Sequence, residues 1–313
     1  MFKLTLFLVL IVYICSDGMV NKSTYDNLRR TATYKIKDWN TNPFRKISKE
    51  QFYQEYASKD IPHIPKVKYG QTVSSSKNDL PEYYDARDVY QSCVPVIKAQ
   101  GQCGASLAFS GAGALAFRFC MVTGEYVELS PQDQIACKHP NCKLGDLVSS
   151  WEYYEEEGLV SEKCFPFVSG NKTEFPECPN TNQKCVVDKE GKQEKFVKYK
   201  AKKGSSMAFE SVDDIKIEIM THGPIQAGIF LYESLLHYES GIYKADSGTL
   251  LGWHALTLLG WGVEDGVEYW IGQNSWGKNW GEEGYIRMSL HSAGIDKYGY
   301  AGYPDVDLLE YPF

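Results

Sequence analysis

The chain has 313 residues, a hydrophobic fraction of 43% and a formal net charge of −7 at pH 7. A chain of this length and composition can bury one large core or two modest lobes, and it gives no sign of wholesale disorder. Its charge is spread along the sequence without a basic stripe, which argues against nucleic acid as a partner.

Residues 1–17 are typical of a secretory signal peptide, because Lys3 precedes one apolar run that ends at Cys15 and is followed by small and polar residues. A retained membrane anchor is the alternative, but an anchor needs a longer apolar run. No second run of that length follows. We therefore expect a mature protein without a membrane anchor, in an extracellular or a lysosome- or vacuole-like compartment of the secretory pathway.

Residues 18–79 predict a propeptide-like segment. They are polar and carry few large apolar side chains, so this stretch has little to bury by itself. These large apolar side chains, called anchors below, are Trp39, Phe44, Phe52 and Tyr53. The segment ends in the polar run 74–79, a suitable cleavage site. A compact domain is predicted to begin at Leu80 and to cover residues 80–313.

The first half of this domain is predicted to be helical. An apolar run with many small residues extends from Ser106 to about Met121 and indicates a buried helix. A short helix is expected from Ser149 to a stop at Gly158, and a longer one starts at the capping residue Ser211 and ends before Gly223.

The second half has the character of strands separated by turn residues. The predicted strands cover residues 225–232, 255–260, 268–272 and 284–288. A helical half followed by a sheet-forming half predicts an α+β molecule of two lobes with a cleft between them.

Eight cysteines remain once Cys15 is removed with the signal peptide, which suggests four disulfides and no spare thiol in an oxidising compartment. Two glycosylation sequons begin at Asn21 and Asn171. The histidines are scattered and the cysteines have a disulfide explanation, so neither a metal site nor a cofactor is expected.

Three motifs together resemble the papain family, and they occur at Gln100–Ser106, Gly252–Ala255 and Asn274–Gly277. The spacing of four further segments resembles cathepsin B: Leu80–Arg87, Gly158–Ser161, Gly223–Ile225 and Tyr238–Tyr243. The resemblance implies a two-lobed papain-like fold, with a helical, disulfide-stapled lobe and a β-barrel-like lobe. It also implies a cleft with His254 as base, Asn274 as its orienting residue and Gln100 in the oxyanion hole.

The same resemblance implies the disulfide pairing and a substrate rim. The pairs would be Cys93–Cys120, Cys103–Cys142, Cys137–Cys178 and Cys164–Cys185, of which the last two pairs could exchange partners. The residues expected to meet a substrate are Leu144, Gly145, Trp253, Trp276 and Tyr298. Leu144 stands where the family usually has glycine, Trp253 is bulkier than the usual glycine, and Tyr298 replaces an acidic residue of cathepsin B.

Ser106 stands at the position of the family's nucleophilic cysteine. Serine is a common helix N-cap, which offers a purely structural interpretation of this residue. Catalysis would instead require His254 to deprotonate the hydroxyl during attack, with Asn274 supplying no negative charge.

Three hypotheses therefore stand. The first is a monomeric, non-catalytic protein whose cleft binds a peptide or protein, its own propeptide or a protease inhibitor. The second is an endopeptidase that uses Ser106, His254 and Asn274. The third is a structural secreted glycoprotein.

Overall fold

The computed structural model describes residues 18–56, 80–139, 142, 145–171, 174–179, 185, 195–245 and 248–308. The expected signal peptide, the predicted cleavage run 74–79 and Leu144 lie outside the described residues. The predicted α+β class is confirmed, because helices dominate the first half of the domain and one large sheet dominates the second.

Helices make up most of the regular structure before Gly223, and strands make up most of it after that residue. The helices are α1 (Lys22–Thr31), α2 (Lys49–Glu55), α3 (Ala86–Val89), α4 (Ser106–Thr123), α5 (Pro131–Cys137), α6 (Leu147–Glu156) and α7 (Val212–His222). The strands are β1 (Lys35–Ile36), β2 (Tyr84–Asp85), β3 (Met207–Phe209), β4 (Ile225–Tyr232), β5 (Tyr238–Ser240), β6 (Ile242–Tyr243), β7 (Leu250–Glu264), β8 (Val267–Gln273), β9 (Tyr285–Ser289) and β10 (Gly299–Ala301).

Helix α4 is the buried helix that the sequence predicts. It is apolar and long enough to cross a membrane, yet most of its residues are buried inside the domain. It ends at Gly124, whose φ of 77° satisfies the left-handed C-cap that glycine adopts without strain. Helix α6 begins two residues before the predicted Ser149, because the side chain of Asp146 accepts a hydrogen bond from the Ser149 amide and caps the helix.

Four disulfides hold the helical half together. They join Cys93–Cys120, Cys103–Cys142, Cys137–Cys178 and Cys164–Cys185, the same pairs that the family resemblance implies. All eight cysteines after Cys15 are therefore paired.

The sheet has the strand order β3-β10-β4-β7-β8-β9-β6, with β2 paired to β7. Strands β4 and β7 form its centre, where Ile229 lies opposite His254 and Gln226 lies opposite Thr257. The expectation of a barrel-like lobe is wrong in one respect, because no closed barrel forms in the described residues. The terminal strands β3 and β6 are only three and two residues long, and they lie at opposite ends of the order.

Residues 18–56, called the N-terminal segment below, fold onto the rest of the chain. Strand β1 pairs antiparallel with β5, and the Asn21 side chain caps α1. Phe44 and Phe52, two of the anchors identified in the sequence, are buried in the main hydrophobic core together with Leu28. A polar segment with little to bury by itself thus completes its core against the domain.

Arg118 ties α4 to the end of α7. It is fully buried and forms an ion pair with the equally buried Glu218, with 2.8 Å between Nη1 and Oε1. It also donates hydrogen bonds to the carbonyls of Gly223 and Pro224. Burial alone would raise the pKa of Glu218, but Arg118 and His222 hold it below its ordinary value.

Replacing Arg118 by methionine should lower the free energy of unfolding by about 3–5 kcal/mol, because the buried Glu218 would lose its cationic partner and keep only the contact with His222. The double variant Arg118→Met/Glu218→Leu should recover most of that loss, since a buried pair exchanged for apolar side chains is often neutral. Chemical denaturation at pH 7 measures both. The exposed Arg29→Met is the control and should change stability by no more than about 0.5 kcal/mol.

The same pair should make stability depend on pH. A carboxylate with a lowered pKa contributes stability that is present above its unfolded pKa and is lost as the pH falls through its folded pKa. The loss of stability on acidification should therefore be smaller in the double variant. An equal loss in both proteins would contradict this role of Glu218.

Candidate active site

Ser106 is the first residue of α4, and Ala105 occupies the N-cap position. No side chain caps this helix, and Ser106 Oγ is buried without a hydrogen-bond partner among the described residues. The interpretation of Ser106 as an N-cap is therefore wrong. If Ser106 were the N-cap, the helix would start at the next residue, but it starts at Ser106 itself. The hydroxyl therefore does not accept a hydrogen bond from the first amides of the helix.

Two hydrogen bonds fix the start of α4 on the sheet. Gln226 Nε2 donates to the Leu107 carbonyl at 2.7 Å, and Thr257 Oγ1 donates to the Ser110 carbonyl at 3.0 Å. Because Thr257 is three residues beyond His254 on β7, these bonds set the helix N-terminus against the strand that carries the candidate base.

His254 and Asn274 form the hydrogen bond that the family resemblance implies. His254 Nε2 lies 2.7 Å from Asn274 Oδ1, and the same oxygen accepts from the Ser275 amide at 2.8 Å. The second bond fixes the orientation of the Asn274 amide, so Nε2 must be the protonated nitrogen of a neutral ring. Nδ1 then carries the lone pair, and it has no hydrogen-bond partner of good geometry among the described residues.

The surroundings of His254 favour its neutral form. Burial lowers the pKa of His254 to about 4, although the bond to Asn274 and the nearby Tyr56 main chain act in the opposite direction. The ring packs on Trp276 with 4.7 Å between centroids. A neutral imidazole can accept a proton, but Asn274 would not stabilise the resulting cation by charge.

The N-terminal segment covers this histidine. Phe44 and Tyr56 both pack on Trp276, at ring-centroid distances of 5.4 and 6.2 Å. The sequence identified Phe44 only as an apolar anchor and gave no signal for Tyr56, because contacts between distant parts of the chain leave no local pattern. The structure thus adds an aromatic cover to the predicted His254 and Trp276.

Gln100 is fully buried and its amide is held by protein groups on both sides. Its Nε2 donates to the Cys103 carbonyl at 2.8 Å, and its Oε1 accepts from Ser275 Oγ at 2.6 Å. These bonds link the turn before α4 to the residue after Asn274. Gln100 is therefore part of the site's scaffold, and its role toward an oxyanion stays a prediction.

Trp253 fills space beside the candidate base. Its side chain is 1% exposed and packs edge-on against Phe230 and Tyr298, with centroid distances of 5.7 and 5.0 Å. A Cβ atom at Gly228 would lie 1.9 Å from Trp253 Cζ2, so only glycine fits opposite this indole. Trp253 and Tyr298, both expected to meet a substrate, thus share one aromatic cluster.

A small pocket adjoins this cluster, with a free volume of about 20 Å³. Its apolar wall includes Leu147, Val148 and Tyr300, while Glu210 and Lys297 also line it. The lining is mainly apolar and aromatic, as the loss of the acidic residue at Tyr298 suggests.

Gly145 adjoins Leu144 in the predicted substrate rim and, unlike Leu144, is among the described residues. A Cβ atom there would lie 2.0 Å from Cε1 of His139, so the imidazole packs directly against the glycine. Burial lowers the pKa of His139 to about 4. His139 was not singled out in the sequence, and Gly145 explains why a bulky ring fits there.

Asn21 and Asn171, the two sequon residues, are both exposed. Asn21 Nδ2 already donates to Glu233 Oε2 at 3.0 Å, so a glycan at that nitrogen would have to share it with this contact. In the part of the chain that the structure describes, no group of three or more His, Cys, Asp or Glu side chains is arranged to hold a metal ion.

Gly228→Ala should lower the free energy of unfolding by about 1–3 kcal/mol, because the added methyl group would overlap the Trp253 ring. In a Trp253→Gly background the same change should cost less than about 0.5 kcal/mol. Chemical denaturation of the four proteins of this double-mutant cycle measures the coupling.

Gly113→Ala is the matched control, since its Cβ would meet only Thr257 Oγ1, at 3.4 Å. This variant should not be destabilised, because alanine is the better helix former. A Gly228→Ala cost that is the same with and without Trp253 would contradict the packing described above.

Comparison with known proteins places the chain in one family. Residues 80–303 match the model of the papain family cysteine protease. The chain is 33% identical over 280 residues to cathepsin B-like cysteine proteinase 6 of Caenorhabditis elegans, covering 78% of this chain and 72% of the relative. It is 36% identical over 234 residues to cathepsin B-like CP1 of Giardia intestinalis, and this match covers 72% of this chain and 74% of the relative.

Among solved structures, procathepsin B S9 from Trypanosoma congolense superposes with a TM-score of 0.79 at 25% identity, covering 92% of this chain and 99% of that one. Like that proform, this chain carries an ordered segment ahead of its domain. From its motifs, its fold and these relatives, the chain belongs to the papain family of cysteine proteases and is cathepsin B-like.

Proposed function

We propose that this chain is a catalytically impaired, cathepsin B-like pseudopeptidase whose cleft binds a peptide or protein. The observation that carries the proposal is Ser106 at the nucleophile position, together with a candidate base, His254, that has only an amide, Asn274, behind it. All eight cysteines after Cys15 form disulfides, so none of them can replace the missing thiol.

The chemistry of the site supports impairment. A helix N-terminus and an imidazolium lower the pKa of a cysteine thiol from about 8.5 into a range where the thiolate is stored. A serine hydroxyl is far less acidic, so these fields cannot hold it as an alkoxide. Serine hydrolases solve this with a buried carboxylate behind the histidine, and exchanging that carboxylate for an amide lowers kcat by about 10⁴-fold.

The shape of the site supports binding. Gln100, Asn274 and Ser275 are linked by hydrogen bonds, and a small, mainly apolar pocket lies beside Trp253 and Tyr298. The bound group would be an apolar or aromatic side chain of a peptide, a protein or an inhibitor. The N-terminal segment would be the internal ligand, since it already lies on Trp276.

The proposed division of the chain follows the sequence prediction, with a signal peptide (1–17), a propeptide (18–79) and a papain-like domain (80–313). Four disulfides and two exposed sequon residues support passage through the secretory pathway to an extracellular or lysosome-like compartment. We expect the protein to be a monomer.

One observation favours a second candidate, an endopeptidase that uses Ser106, His254 and Asn274. Both Ser106 Oγ and His254 Nδ1 are buried, and neither has a hydrogen-bond partner of good geometry among the described residues. A hydroxyl and a basic nitrogen left in this state suit proton transfer during attack. No observation of this kind on the described residues favours a purely structural role.

The deciding experiment compares the wild-type protein with Ser106→Cys on fluorogenic peptides, after both have been cut at a protease site engineered into 74–79. The wild type should accelerate peptide hydrolysis at most about 10³-fold over water, which is the rate enhancement that remains when a triad loses its nucleophile. Ser106→Cys should exceed it by at least 100-fold. Ser106→Cys/His254→Ala is the matched control and should lose that gain.

Wild-type turnover equal to that of Ser106→Cys, together with labelling by a serine-directed phosphonate, would establish the endopeptidase instead. The binding half of the proposal is measured by calorimetry with uncleaved peptides bearing an aromatic residue. If the wild-type protein cut at 74–79 did not bind these peptides, the structural role would be the remaining hypothesis.

A further inference from the structure

Trp253 comes directly before the candidate base His254 and lies opposite Phe230 in the pairing of β7 with β4. Its ring extends over Gly228, which is two residues from Phe230 and therefore on the same face of β4. Gly228 has no side chain to meet the ring, and its amide donates to the Tyr298 carbonyl at 2.9 Å. The indole therefore packs on bare main chain beside the strand residue that carries the base.

The small pocket next to this indole reaches the surface. Glu210 and Lys297 line it and are both exposed, while Ala208 and Tyr300 belong to its buried wall. Its free volume is about 20 Å³. A water molecule needs about 10–15 Å³ of such volume, whereas a cavity of about 150 Å³ holds benzene. The pocket therefore has an entrance but no room for an aromatic side chain.

The indole itself occupies the space that is missing from the pocket. It is 1% exposed and packs edge-on against Phe230 and Tyr298. Its Nε1 is buried without a hydrogen-bond partner among the described residues, so no such bond fixes the ring at this place. Apolar and aromatic side chains around a cavity that reaches the surface are typical of a ligand pocket. Here a side chain of the protein itself fills most of that pocket.

The charges at the pocket do not favour an ionic group of a ligand. Glu210 and Lys297 carry opposite charges. Asp146 also lines the pocket, but its carboxylate caps α6 and accepts from both the amide and the hydroxyl of Ser149. The group that a ligand can place in the remaining space is therefore uncharged and small.

We propose that Trp253 determines the specificity of this cleft, because its indole occupies the pocket beside His254 and keeps large side chains of a ligand out of it. A bound peptide is then held by its main chain and carries a small side chain, such as that of alanine, at this point. This specificity rests on the proposed function, and it narrows the bound apolar group to a small one.

Calorimetry with two capped peptides, acetyl-Gly-Phe-Gly-amide and acetyl-Gly-Ala-Gly-amide, tests this role on protein cut at the site engineered into 74–79. The wild type should bind the Phe peptide no more tightly than the Ala peptide. Trp253→Gly should bind the Phe peptide at least about tenfold more tightly, because a phenyl group can then be buried. Trp270→Leu is the matched control and should keep the wild-type ratio, since this fully buried indole does not line the pocket.

A second measurement uses the full-length chain and free indole. Indole should bind Trp253→Gly at least tenfold more tightly than the wild type, and it should raise the midpoint of thermal unfolding only in the variant. If Trp253→Gly is poorly folded, Trp253→Leu with phenol provides the same comparison in a smaller space.

A wild type that already prefers the Phe peptide tenfold, or a ratio that does not change in Trp253→Gly, would overturn the role of Trp253. So would a folded Trp253→Gly that binds indole no better than the wild type. Indole binding depends neither on turnover nor on peptide binding. Hydrolysis by the wild type, or absence of peptide binding in every protein, would therefore refute the proposed function and leave the occupied pocket standing.

Discussion

The packing of α4 on the central strands is the constraint on which the rest of the structure depends. This helix is apolar nearly all round, so it is stable only when it is covered on every side. The bonds from Gln226 and Thr257 to its carbonyls fix its position along the sheet. Because Ser106 begins this helix and His254 lies on β7, the same packing positions both candidate reactive groups.

The N-terminal segment is part of that core and not an addition to it. Phe44 and Phe52 are buried in the same cluster as the residues of the sheet, and β1 extends β5. Docking of the N-terminal segment therefore covers the cleft and buries core side chains at the same time, so both depend on the same free energy. Access to His254 therefore depends on the stability of this interface.

The site combines a fixed frame of hydrogen bonds with a serine at position 106. The bonds between His254, Asn274 and Ser275 hold one tautomer in place, and Gln100 ties them to the start of α4. These hydrogen bonds form without a thiol at position 106. Position 106 carries a hydroxyl, and Trp253 packs edge-on against Tyr298 in an aromatic cluster next to the candidate base in the sequence.

The sequence by itself determined the class of fold, the extent of α4, β4 and α7, and the candidate residues Ser106, His254, Asn274 and Gln100. It could do so because periodicity, capping residues and catalytic motifs are local patterns. Only the tertiary structure decided that Ser106 is not a cap, that the sheet stays open, and that Gly228 accommodates Trp253. Likewise, only it showed that Asn42 meets His237, because contacts across 195 positions leave no trace in a local pattern.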